Sequence, residues 1–178
     1  MKRFFLATFV AALALFVWNA ISWMALPFHA GMLNTLPEPV AEAVKRTQSM
    51  VETGLYHYPG LDDPDMFQKV EEGPRIPLMM YVAEGSDAFD PMSFVKSFFF
   101  NLVSAGLLLL LLTRLADRSL KNVLVTSLIM GLLVGFMSDL PQTSWFLLPF
   151  EYALTNMLDH LVGFVLAGWV IQKLALKS

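Results

Sequence analysis

The side chains best placed to do chemistry share one apolar stretch near the C-terminal end. Glu151, Thr155 and Asp159 recur at i, i+4 and i+8, while Asn156 and His160 form an adjoining i, i+4 stripe that Gly163 extends. On a helix rising about 1.5 Å per residue, Asp159 and His160 lie roughly 12–15 Å beyond Glu151. Ionisable groups that deep in an apolar span are costly unless paired, so they must face neighbouring helices or a wet cavity. Two chemistries suit the pattern. One is a proton or ion relay descending from Glu151 to Asp159 and His160. The other is polar glue, with Asp159 neutral or hydrogen-bonded to Asn101, Ser104 or Asn19 of other spans. No buried Lys or Arg is expected to complement the pair.

Ser127, Gly131, Gly135 and Asp139 stand at strict four-residue spacing. Small residues at that spacing let helix backbones approach closely, so Ser127, Gly131 and Gly135 read as a packing face against the fourth span or a partner subunit. Asp139, followed by Leu140-Pro141, is expected at a solvated helix end. His29 and His57 could hold zinc or copper with a carboxylate, but no HxH, HxxxH or HExxH spacing supports it. An interfacial polar tip and a solvated strand face account for them, and no metal or cofactor is expected. The acidic run Asp62, Asp63, Asp65, Glu71 and Glu72 lacks the EF-hand order and glycine. No GxSxG, GxxxxGK or GxGxxG motif is present. An intramembrane hydrolase built on Asp159 and His160 would lack a second carboxylate at similar depth.

The elements that must hold these residues follow from composition. Of 178 residues, 56% are hydrophobic and 15% charged, well under the usual ~25%. Mean hydropathy is +0.58. These values exclude disorder and a basic nucleic-acid binder, and the absence of cysteine excludes disulfide scaffolds and thiolate chemistry. Four stretches reach the ~20 apolar residues that cross a bilayer: 4–26, 93–113, 122–140 and 150–172. The first resembles a secretory signal, but its apolar run exceeds the ~7–15 residues of such a core and Trp18-Asn19-Ala20 is a poor cleavage site. It reads as a retained anchor.

Positive charge sets orientation. Lys2, Arg3, Arg114, Arg118, Lys121, Lys173 and Lys177 fall on one side with only Asp117, whereas residues 27–96 carry five basic and eleven acidic side chains. Both termini are therefore expected in the cytoplasm and residues 27–92 outside. Trp23, Trp145 and Trp169 fall near span ends, in the aromatic belts; Trp18 lies deeper and needs a Ser or Asn partner for its N–H.

The 27–92 segment has the grammar of a small folded cap. Thr35-Leu36-Pro37-Glu38 reads as a capping box opening an amphipathic helix through Val51, stopped by Gly54. Leu55–Tyr58 and Ile76–Ala83 read as strands, with Pro77 confining the second to an edge. Between them, Asp62 or Asp63 caps a helix with Pro64 at its start, ended by Gly73-Pro74. The expected fold is an all-α membrane protein: a four-transmembrane-helix bundle with a small α/β extracytoplasmic cap between helices 1 and 2.

Four spans with a strand-containing outer loop suggest claudins, but the paired cysteines of that loop are missing. The segments Trp23-Met24-Ala25-Leu26-Pro27-Phe28-His29, Gly54-Leu55-Tyr56-His57-Tyr58-Pro59 and Gly73-Pro74 resemble those of a group of small bacterial four-span inner-membrane proteins. That resemblance implies four spans and an outer cap in the bacterial inner membrane, and it carries no activity or site residue to transfer. The first functional expectation is a non-enzymatic accessory or scaffold subunit that partners the lipid bilayer and other membrane subunits or its own copies. An oligomeric proton- or ion-coupled transporter using the fourth-span stripe is the alternative, and an extracytoplasmic metal-binding protein a weaker one.

Overall fold

The computed structural model of the protein describes residues 2–85, 87 and 89–176. Lys177, part of the charge asymmetry above, lies outside the described residues, as do residues 86 and 88. The chain divides into two compact units. One holds the segment up to Leu33, Asp90–Ser144 and Leu148 onward; the other holds Asn34–Phe89 with Trp145–Leu147.

Four helices of the first unit are long and apolar enough to cross a membrane: α1 (Lys2–Ala25), α5 (Pro91–Thr113), α6 (Leu120–Trp145) and α7 (Phe150–Leu176). A short helix, α2 (Pro27–Ala30), follows α1. The most extensive packing is between α6 and α7, between α1 and α5, and between α1 and α7. Ala11, Ala12 and Leu15 of α1, Leu108 and Leu112 of α5, Val123 of α6 and Ala167 and Ile171 of α7 form the apolar core. Most of these lie toward the N-terminal halves of α1 and α6 and the C-terminal halves of α5 and α7. The opposite half of the unit is left for polar side chains.

The helices run past the limits set by hydropathy because polar caps and widened turns extend them. Asp90 opens α5 by accepting hydrogen bonds from the Met92 and Ser93 backbone N–H groups, with Pro91 in the first turn. The Ser93 hydroxyl on its carboxylate, reinforced by the Met92 N–H, holds the Asp90 pKa below the usual carboxyl value. In α6 the helix does not end at Leu140-Pro141. It widens into a π-helical turn over Gly135–Asp139, where the Leu140 N–H reaches Gly135 O, and continues to Trp145. Proline lacks an N–H and crowds the carbonyl one turn back, and the wider turn makes room for it. A similar π turn, Ile21–Ala25, ends α1; Leu26 then turns extended before Pro27, as a pre-proline residue prefers.

At Gly131 the backbones of α6 and α7 approach closely. A Cβ there would stand 2.9 Å from Leu161 Cα and 3.0 Å from His160 O, so only glycine lets α6 and α7 meet at this crossing. Ser127 is fully buried at the same interface, against Gly168, and Gly135 faces Met157.

The second unit carries α3 (Glu38–Arg46), β1 (Gly54–Tyr58), α4 (Met66–Glu72) and β2 (Ile76–Tyr81). The strands are antiparallel, pairing Leu55 with Met80 and Tyr56 with Met79, with an irregularity between Tyr56 and Tyr58. Pro77 is compatible with β2 because each strand of a two-stranded sheet is an edge. Both expected helix starts are corrected. The Thr35 capping box does not form: α3 begins at Glu38 behind Pro37, with no side-chain cap. The helix after Pro64 begins only at Met66, because Asp63 closes an Asx turn on the Asp65 N–H at 3.0 Å. Lys69 Nζ donates to Asp63 Oδ2 at 2.6 Å, which lowers the Asp63 pKa and raises that of Lys69. Neither α3 nor α4 has a buried residue.

Candidate functional site

The polar half of the helical unit opens into a cleft of about 590 Å³. It is lined by Asn19 and Trp23 from α1, Ser97, Asn101 and Ser104 from α5, Asp139 from α6, and Asn156, Asp159 and His160 from α7. Leu15, Phe16, Phe94 and Phe164 supply apolar walls.

Asp159 is the hub. Ser22, fully buried in the π turn of α1, donates its hydroxyl to Asp159 Oδ1 at 2.6 Å. His29, only 1% exposed, comes from α2, which the Leu26-Pro27 break turns back onto α7. Its ring stacks on Trp23 with centroids 3.8 Å apart, and its Nε2 lies 3.3 Å from both Asn156 Oδ1 and Asp159 Oδ2. The hydrogen bond goes to Asn156; Asp159 Oδ2 stands at ion-pair distance but out of line, with no hydrogen-bond partner. Trp18 Nε1 donates to the backbone oxygen of Asp159 at 3.2 Å, anchoring α1 to the same turn.

A second carboxylate–imidazole pair lies across the cleft lining. Asp139 Oδ2 is 3.2 Å from His160 Nε2, again at ion-pair distance without hydrogen-bond alignment. Asp139 is 6% exposed, so the expectation of a solvated helix end is corrected. The reason is the π turn, which carries α6 past Pro141 and leaves Asp139 more than a turn inside the helix, directed toward α7. The objection that no second carboxylate accompanies Asp159 falls with it.

The other candidates sort cleanly. Asn19 and Asn101 bond each other, Asn19 Nδ2 to Asn101 Oδ1 at 3.3 Å, and so are not the partners of Asp159. Ser104 lines the cleft without reaching Asp159, and Thr155 faces Met32 Sδ at 4.0 Å. Glu151 is exposed and outside the cleft lining, so the stripe does not descend from it. Trp18 finds a backbone carbonyl rather than a Ser or Asn. His29 belongs to the helical unit and His57 to the other, where its Nδ1 lies 2.9 Å from Pro59 O, two residues along the chain. Among the described residues no three His, Asp or Glu side chains are grouped to hold a metal ion.

Ser22 was not legible as a site residue, because a lone Ser inside an apolar span has no periodic signature. Asp139 carried a partial signal: it continues the Ser127, Gly131, Gly135 row that packs on α7, but whether the helix runs on past Pro141 to keep it there is set by the π turn, which the row does not specify. Chemically, a buried and a part-buried carboxylate, each beside an imidazole, on a cleft with no Lys or Arg in its lining, form a site that can hold and pass protons or neutralise a cation. No family model, curated protein or solved structure matches the chain.

Proposed function

We propose that the protein is an integral membrane protein whose four long helices span the bilayer as a bundle, and that the cleft is its working site, exchanging protons in a transport process. Asn34–Phe89 form an extracytoplasmic cap and both termini face the cytoplasm of a bacterial inner membrane, a reading supported by the charge asymmetry. Many side chains pointing away from the helix contacts are large and apolar, Phe5, Leu107, Ile129, Phe136 and Met137 among them, which suits lipid contact. In that orientation the cleft lies in the outer half of the membrane and the apolar core seals the inner half.

The single observation that carries the reading is the meeting of Asp159–His29 and Asp139–His160 at one cleft. Polar glue in lipid needs paired groups and no room; here both carboxylate residues line an open cleft, and neither Oδ2 has a hydrogen-bond partner. Four spans are few for a pathway, so several copies or a partner would complete it. The test is proton flux into proteoliposomes carrying a pH dye. The purified chain should dissipate an imposed pH gradient, and Asp159→Asn and Asp139→Asn should each abolish the effect. Flux equal to that of protein-free liposomes, or unchanged in both variants, refutes the proposal.

An accessory-subunit role is the second reading, and the small unit favours it. Leu55 and Met80, cross-strand partners, are exposed, as are Leu61 and Phe67, apolar side chains that a partner subunit would cover. A single monomer with no co-purifying chain in mild detergent would count against it.

A further inference from the structure

We infer that the cleft binds a small organic ammonium ion, held by Asp139 and Asp159 against its aromatic walls. The inference rests on the cleft being the working site and adds the class of its substrate.

Charge selects the sign of the ligand. The lining contains two carboxylates against one imidazole, His160, and no Lys or Arg. Asp139 is the sharper pointer: its side chain is 7% exposed, it lines the cleft, and its Oδ2 has no hydrogen-bond partner. That oxygen faces His160 Nε2 at 3.2 Å without hydrogen-bond alignment, and an ammonium N–H in the cleft would give the Asp139 carboxylate an aligned donor. Asp159 Oδ2 offers a second acceptor of the same kind.

Size and walls select an organic cation over a bare metal ion. The volume of about 590 Å³ sits within the ~300–1,000 Å³ of small-molecule sites. A desolvated metal ion needs a tight ligand shell, and no group of three such side chains is present among the described residues. Phe16, Trp23, Phe94 and Phe164 instead offer ring faces and edges to an ammonium group and the hydrocarbon attached to it. Asn19, Asn101 and Ser97 add neutral polar atoms that could orient its substituents.

The test uses 2-phenylethylamine, charged at pH 8, and its neutral counterpart 2-phenylethanol, titrated into the full chain in detergent while Trp fluorescence is followed. The amine should quench saturably and the alcohol should bind about tenfold more weakly or not at all. Asp139→Asn should weaken the amine by about tenfold or more, and Glu151→Gln, outside the cleft, should leave it unchanged. Equal binding of amine and alcohol, no saturable amine binding, or wild-type affinity in a folded Asp139→Asn protein overturns the inference. If Asp139→Asn fails to fold, Asp159→Asn and the amine–alcohol comparison in the unaltered chain decide in the same way. The proton reading fails separately: flux without amine binding removes only the substrate class, and amine binding without flux removes only the proton exchange.

Discussion

Replacing Gly131 by alanine tests the packing that brings the two carboxylate–imidazole pairs together. The added methyl would stand 2.9 Å from Leu161 Cα, 3.0 Å from His160 O and 3.0 Å from Leu161 N. All three are backbone atoms, so no side chain can swing aside and α6 must move off α7. Overpacking of this kind costs about 1–3 kcal/mol. For a chain of this size each kcal/mol moves the midpoint by roughly 2–4 °C, giving a loss of roughly 2–12 °C. Gly106→Ala is the matched control. Its new methyl meets only Thr8 Cγ2 at 3.7 Å, an ordinary contact, and alanine is the better helix former. Thermal unfolding in detergent, followed by circular dichroism, should show Gly131→Ala well below wild type and Gly106→Ala at or above it. Because the Gly131 contact includes the His160 carbonyl, the same variant should also weaken proton flux. Equal midpoints for the two variants would refute the close-approach argument, since the chemical change is identical and only the neighbours differ.

Ser22→Ala removes the hydroxyl that donates to Asp159 Oδ1, a part-buried bond, so stability should fall by about 1 kcal/mol in the same melt; an unchanged midpoint would show that the bond contributes nothing. The Asp90 cap should depend on pH in one direction. Its folded pKa is depressed, so its contribution is complete above the ordinary value of about 4 and vanishes as pH falls through the lower folded value. Hydrogen exchange of the Met92 and Ser93 amides should accordingly show protection at pH 5 relative to pH 2.5, after correction for intrinsic rates, and equal protection would contradict the cap. Orientation can be read directly because the chain has no cysteine: in right-side-out vesicles Glu71→Cys should react with an impermeant maleimide, and Lys121→Cys only after permeabilisation. The reverse pattern would overturn the placement of the cap outside.

The sequence by itself determined the four apolar helices, the order α-β-α-β between the first two, and the glycine row of α6. These follow from local properties: apolar length, side-chain size at four-residue spacing, and turn residues such as Gly73-Pro74. It also located Asp159, His160 and Asn156, because ionisable groups inside an apolar run must be accounted for wherever the run is folded. The partners of those groups were decided only by tertiary structure. Ser22 meets Asp159 across 137 positions and His29 meets Asn156 across 127, and no periodicity along one helix carries that information. Two backbone events made the difference. The widened turn at Gly135–Asp139 kept Asp139 inside a continuing helix, and the break at Leu26-Pro27 turned His29 back onto α7. Each depends on how the chain accommodates a proline against its neighbours, and the proline alone does not specify whether a helix stops, bends or widens.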